Sequence, residues 1–225
     1  MTMAGTGVPA GLAGPAATAR PGLVRRLISV APGSRFEGTA GSGGELWFVI
    51  AGHGRLDAGG LRGAAAARDA GVWIPPGFGY RLDADAGTPQ LLLDAVALPG
   101  GRKPAAAPEP PQLAWLRDCE VERTGDRRFR VLFGPGRGCE AATQFVGEIP
   151  PGRAPEHSHP YDELVLVLEG EGVAHVAGAD RALAPGTRLH LPPGRPHCLE
   201  NTGPGTLVVL GVFHPGGSPA QKAAG

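Results

Sequence analysis

Two stretches decide how this chain is read: GRAPEHSHPYDELVLVLEG, Gly152 to Gly170, and GTRLHLPPGRPHCLEN, Gly186 to Asn201. The first has the spacing G-x4-H-x-H-x3-E-x6-G and the second G-x5-P-x-G-x2-H-x3-N. In a β-strand, side chains two residues apart share a face, so His157 and His159 can aim together into an interior. Glu163 and His197 would reach the same place from neighbouring strands. Burying several titratable groups without partners costs a few kcal/mol or more, roughly, and this disfavours reading them as ordinary polar residues of turns. A shared cation offsets that cost. Three neutral imidazoles and one carboxylate suit Fe(II), Mn(II), Co(II), Ni(II), Cu(II) or Zn(II), whereas Mg and Ca prefer oxygen shells. On an octahedral ion, four protein donors leave two positions for substrate, water or dioxygen, as a catalytic rather than a closed structural site requires.

Working outward, the same pattern occurs twice. ELWFVIAGHG from Glu45 matches ELVLVLEGEG from Glu163, and IPPGFGY ending at Tyr80 matches LPPGRPH ending at His197. The offsets, 118 and 117 residues, are nearly equal, which makes a duplicated domain the economical reading. Short β-like runs such as Leu23 to Val30, Leu46 to Ile50, Val72 to Ile74 and Leu91 to Ala97 alternate with glycine-rich breaks. Gly 38 and Pro 24 exceed a quarter of the 225 residues, yet 42% are hydrophobic, so much of the Gly and Pro belongs in turns between strands. An all-β fold is expected. Its divisions are a disordered tail over 1–22, an N-terminal domain over 23–99, a Pro-rich linker over 100–112, a C-terminal domain over 113–215 and a second tail over 216–225.

With 21 Lys plus Arg against 21 Asp plus Glu, there is no electrostatic footprint for nucleic acid or an anionic membrane. A small-molecule substrate is the expected partner, with a homodimer left open. Cys119, Cys139 and Cys198 form no C-x-x-C pair and are odd in number, which argues against a disulfide framework and fits a cytoplasmic location. Met1 to Pro21 lacks a basic segment followed by an apolar run, so no signal peptide is expected, and no run of 18 apolar residues could span a membrane.

The two quoted stretches resemble the paired motifs of the cupin superfamily. The one departure is four residues instead of five between Gly152 and His157. The resemblance implies two tandem double-stranded β-helix, or jelly-roll, barrels. It places metal ligands on His157, His159, Glu163 and His197, and turn or scaffold roles on Gly170, Gly186, Pro192, Gly194 and Asn201. In the first copy the corresponding positions fall near Gly38 and Ala40, on Glu45 and on Tyr80. A lone carboxylate is a poor metal site, so that copy is read as a degenerate, metal-free barrel in which Glu45 makes hydrogen bonds, with Tyr80 as a candidate partner. The resemblance also implies a menu of activities. Oxidation by a non-haem dioxygenase holding Fe(II) leads, because two adjacent open positions admit substrate and O₂ together. Redox-neutral hydrolysis, isomerisation or elimination with Mn, Ni, Cu, Co or Zn is the alternative, and a non-catalytic sugar- or metabolite-binding module the second.

Glu163 and Tyr161 are the candidate catalytic groups, since a carboxylate or phenol beside a metal can move protons. Tyr161 and Asp162 sit between the His pair and Glu163, where either can touch substrate or steer a ligand. Gln144, on TQFVGEI, could project into the cavity if the strand phase holds. His175 and His190 alternate with apolar neighbours and read as surface residues, and Cys198 follows a ligand and so points the other way. Arg153, Arg188 and Arg195 are the candidates for pairing with an anionic substrate.

Overall fold

The computed structural model describes residues 17–20, 23–100 and 109–220. They divide into two compact units that meet in sequence between Trp115 and Leu116. The first unit contains β1 (Ala17–Arg20), β2 (Leu23–Val30), β3 (Arg35–Thr39), β4 (Glu45–Ala51), β5 (His53–Ala58), β6 (Leu61–Ala67), β7 (Ala70–Ile74), β8 (Gly79–Ala84), β9 (Leu91–Ala97) and β10 (Gln112–Trp115). The second contains β11 (Glu122–Thr124), β12 (Arg127–Phe133), β13 (Thr143–Ile149), β14 (Gly152–Arg153), β15 (Asp162–Glu169), β16 (Gly172–Val176), β17 (Ala179–Leu183), β18 (Arg188–Leu191), β19 (His197–Asn201) and β20 (Leu207–His214).

Each unit has a six-stranded and a four-stranded sheet. The orders are β1-β2-β9-β4-β7-β10 and β3-β8-β5-β6 in the first, and β11-β12-β13-β20-β15-β18 and β14-β19-β16-β17 in the second. Every strand from β1 to β9 has a counterpart eleven places later in the same sheet position, so the sequence repeat is a repeat of topology. All pairings between these strands are antiparallel. The match extends to irregularities: β4 shifts register against β9 between Val49 and Ala51, and β15 against β20 between Val167 and Glu169. The residue that follows each of these strands is a left-handed glycine, Gly52 at φ +82° and Gly170 at φ +84°. A Cβ on Gly170 would lie 2.7 Å from the Thr206 carbonyl oxygen, and one on Gly52 would lie 2.6 Å from the Leu91 Cα. Both the backbone angle and the close approach therefore demand glycine.

Period-two alternation fills the interiors. In the second unit Val165 and Val167 of β15 pack with Leu189, Leu191, Leu199, Leu207 and Val209. In the first, Trp47, Val49, Leu56, Val72, Ile74, Leu82 and Leu93 do the same.

Some divisions expected from sequence shift. Ala17–Arg20 lies in the expected N-terminal tail but pairs with β2 as a strand. β10 pairs with β7, and Leu113 and Trp115 pack on the first core, so residues 113–115 belong to the first unit rather than to the C-terminal domain. Gln112, assigned to the linker, opens that strand; most of the linker, 101–108, lies outside the described residues, as do 1–16, 21–22 and 221–225. Within the expected C-terminal tail, Gly216 and Gly217 are tied to Ala141 and Thr143 by hydrogen bonds.

Gly170→Ala should cost about 2–3 kcal/mol, since a left-handed Ala meets a backbone oxygen as well as its own strain. Gly178→Ala, equally left-handed at φ +81° but with open space around an added Cβ, should cost about 1–2 kcal/mol. Urea unfolding of both variants checks the ranking, and equal costs would remove the close approach as a cause.

Candidate metal centre

Glu163 enters from the start of β15, between β18 and β20 in the larger sheet of the second unit, where it pairs with Leu191 on one side and Phe213 on the other. It shares its face with Val165 and Val167, and so points into the interior. His197 opens β19. His157 and His159 lie between named strands, in place of the strand geometry expected from sequence. They are held instead by the loop opposite: His157 N–H donates to the His197 carbonyl at 3.0 Å, His197 N–H donates to the His157 carbonyl at 2.8 Å, and Gly194 N–H donates to the His159 carbonyl at 2.7 Å. The two sequence motifs are thus stitched backbone to backbone.

The side chains converge. One ligating nitrogen from each of His157, His159 and His197 lies within 4.8 Å of the others. Glu163 Oε2 stands 3.4 Å from His197 Nε2 and 3.6 Å from His159 Nε2. Two donors at roughly 2.1 Å from one ion are separated by about 3.0 Å at a right angle and about 3.4 Å at a tetrahedral angle. The observed spacing is longer than a good N–H···O bond and close to that of two donors sharing an ion. His157 Nδ1 lies 3.0 Å from the Pro155 carbonyl oxygen and His197 Nδ1 lies 2.8 Å from that of Arg195. A carbonyl only accepts, so in each neutral ring Nδ1 carries the proton and Nε2 presents its lone pair. This donor set fits a divalent transition ion.

Electrostatics separates the imidazoles. Burial pushes the His157 pKa below its ordinary value, with the charges of His197 and Arg127 acting the same way and the Pro155 carbonyl and Glu163 opposing. Burial also pulls on His197, but the Glu163 carboxylate outweighs it and the pKa is raised.

Tyr161 stacks on His159, with centroids 4.9 Å apart and planes at 10°, and also packs on Phe213. Its hydroxyl donates to the Ser218 carbonyl at 3.1 Å, and burial followed by the charge of Glu163 raises the phenol pKa. Tyr161 does not line the cavity beside the cluster; its contacts make it a positioning residue for the His159 ring.

That cavity holds about 70 Å³ and is bordered by the four polar groups, by Phe129, Phe145, Leu199, Val209 and Phe213, and by Pro219 of the segment that Tyr161 anchors. Phe145 and not Gln144 faces it, because β13 presents Phe145, Gly147 and Ile149 inward. Arg153, Arg188 and Arg195 do not border it. Arg127 and Arg128 do, which the sequence reading missed. The signal was available: Arg127 is in phase with buried Phe129 on a strand that reads RRFRVLF.

The outlying groups have local partners. His190 Nε2 lies 2.7 Å from Asp162 Oδ1, and Asp162, next to Glu163, points to the other face of β15. Cys198 is buried, and no disulfide occurs among the described residues. His175 sits between Asp180 at 2.6 Å and Glu200 at 2.9 Å.

The first unit contrasts sharply. Gly38 pairs with Tyr80 as His157 pairs with His197, and a Cβ on Gly38 would meet the Tyr80 hydroxyl. The Tyr80 ring occupies the space of the missing side chain and packs edge-on against Trp47 with centroids 4.6 Å apart. Glu45 does not bond Tyr80; Oε2 accepts from Trp47 Nε1 at 2.9 Å and Oε1 from Arg26 at 3.4 Å.

Comparison with known proteins places this geometry. Residues 145–213, which include all four converging side chains, match the family model for the cupin domain, Cupin_2. The fold is the cupin fold. A cupin 2 conserved barrel domain protein from Leptotrichia buccalis is 17% identical with a TM-score of 0.61, over 88% of this chain and 86% of that one. Oxalate decarboxylase from Bacillus subtilis, with Mn(II) centres, is 15% identical with a TM-score of 0.69, over 88% and 70%. Vicilin from hazelnut, Corylus avellana, is 12% identical with a TM-score of 0.68, over 87% and 75%. At such identities the likeness concerns the fold alone. No curated protein sequence matches the chain. Among the described residues, no helix is long and apolar enough to cross a membrane.

The carboxylates of Glu200 and then Asp180 raise the His175 pKa, so the charged pair stabilises the cupin domain fully below about pH 6.5, the unfolded value. That contribution is lost as pH rises through the higher folded value. Thermal unfolding from pH 5 to 9 should therefore show a midpoint decline that His175→Gln flattens; identical pH profiles would contradict it.

Proposed function

We propose that the C-terminal cupin domain binds one divalent transition metal through His157, His159, Glu163 and His197 and oxidises a small organic molecule with dioxygen. The observation that carries this reading is the clustering of three imidazoles, with the Glu163 carboxylate against those of His159 and His197, beside an apolar cavity, two of the imidazoles locked by backbone carbonyls in the tautomer that offers Nε2. When bound, the ion supplies Lewis acidity and, as Fe(II), one-electron chemistry toward dioxygen. Glu163 contributes the single negative charge of the donor set. Tyr161 holds the His159 plane, and Phe129, Phe145, Leu199 and Val209 keep water from the reacting face and receive the apolar part of the substrate.

Oxidation is favoured over a redox-neutral reaction by what else borders the cavity. Apart from the four donors, the ionisable side chains there among the described residues are Arg127, Arg128 and Glu148. Glu148 is held by Arg128 at 2.7 Å and Arg130 at 2.5 Å, and arginine keeps its proton. The Tyr161 hydroxyl is committed to Ser218. Among the described residues that border the cavity, no group outside the donor set is free to shuttle a proton for hydrolysis, isomerisation or elimination.

Elemental analysis of anaerobically purified protein should find about one Fe(II) per chain, and that iron should give a nitric oxide adduct signal. His157→Ala and His197→Ala should abolish metal retention and Tyr80→Phe should leave it unchanged. Wild-type metal content in both His variants would overturn the ligand assignment. One Mn or Zn without a nitric oxide signal would replace oxidation by the redox-neutral reading.

A further inference from the structure

The cavity beside the His cluster carries one charge that its surroundings leave uncompensated. Arg128 and Arg130 share Glu148. Arg127, on the inward face of β12 two residues before buried Phe129, has no hydrogen-bond or ion-pair partner among the described residues. It follows the two-residue turn Gly125-Asp126, with Thr124 paired opposite and also bordering the cavity, so the hairpin fixes the root of its side chain. A half-buried guanidinium beside apolar walls is desolvated enough to favour a counter-anion, and its planar fork matches a carboxylate. The size of the space limits what else the ligand can carry: about 70 Å³ is far below the ~300–1,000 Å³ of pockets for drug-sized ligands.

We propose that the cupin domain takes a small monocarboxylate of a few carbons, its carboxylate paired with Arg127 and its apolar remainder lying along Phe129, Phe145, Leu199 and Val209 toward the imidazoles. This identifies the substrate class of the site proposed above and rests on that reading. Arg127 is the specificity-determining residue, and the carboxylate is its partner rather than the reacting group. The apolar walls then select against a second charge on the same molecule.

Calorimetric titration of the purified full chain with propanoate, butanoate and the corresponding neutral amides tests the proposal. Both acids should bind and the amides should bind at least tenfold more weakly. Arg127→Gln should weaken the acids by tenfold or more at unchanged metal content, and Arg127→Lys should restore part of the affinity. Amides that bind as well as the acids overturn the proposal with no variant needed. So does acid binding in Arg127→Gln within twofold of wild type, because the carboxylate would then sit on the metal or elsewhere. Metal content is measured on the same samples, so failure of the ligand assignment is seen separately from failure of the anion site.

Discussion

The reciprocal backbone hydrogen bonds between His157 and His197 are the constraint on which the C-terminal site depends. They join two loops forty residues apart and fix the origins of both side chains before any side-chain contact forms. The carbonyls of Pro155 and Arg195, each two residues before its histidine, then orient the rings. Ring orientation therefore follows from backbone path. A side-chain substitution nearby leaves it intact, whereas a change in loop length would not. Glu163 is held independently by the ladder of the larger sheet, so the donor set is assembled from two rigid sources.

The first unit demonstrates how little separates a polar interior from a closed one. Strand order, register shifts and glycine positions are shared, yet Gly38 and Tyr80 stand where His157 and His197 do. A small residue facing a large aromatic fills the volume that two imidazoles leave open. Trp47 and Phe36 complete an aromatic cluster around Tyr80, and Glu45 finds its partners in Trp47 and Arg26. The carboxylate survives there because it is hydrogen-bonded.

The fold was legible because its punctuation is chemical. Left-handed glycines, the two PPG turns and alternating Val and Leu recur at nearly constant offset, and the structure repeats at the same offset. The four converging side chains were legible for a different reason, the spacing of the histidines and Glu163 within the two stretches of the second copy. For Tyr161 the sequence left two readings open, touching substrate or steering a ligand, because it gives proximity to Glu163 without direction; the ring lies on His159 and the hydroxyl reaches a segment 57 residues away. Arg127 went unseen because it precedes both motifs; its phase with Phe129 marks it as inward-facing, and the pairing of β12 beside β13 brings it to the cavity. The extent of the first unit was missed because pairing of β10 with β7 is a tertiary choice, stabilised by Leu113 and Trp115, that local composition masks behind prolines.

The segment from Gly216 to Ala220 has a practical side. Thr143 grips Gly217 through both its backbone groups, Tyr161 grips Ser218, and Pro219 stands in the cavity wall. Whatever polypeptide follows Ala220 is launched from the rim of the pocket. An affinity handle or fusion partner that follows this segment extends a stretch of chain that itself borders the cavity, so binding measurements on this protein are best made after such a handle has been cleaved.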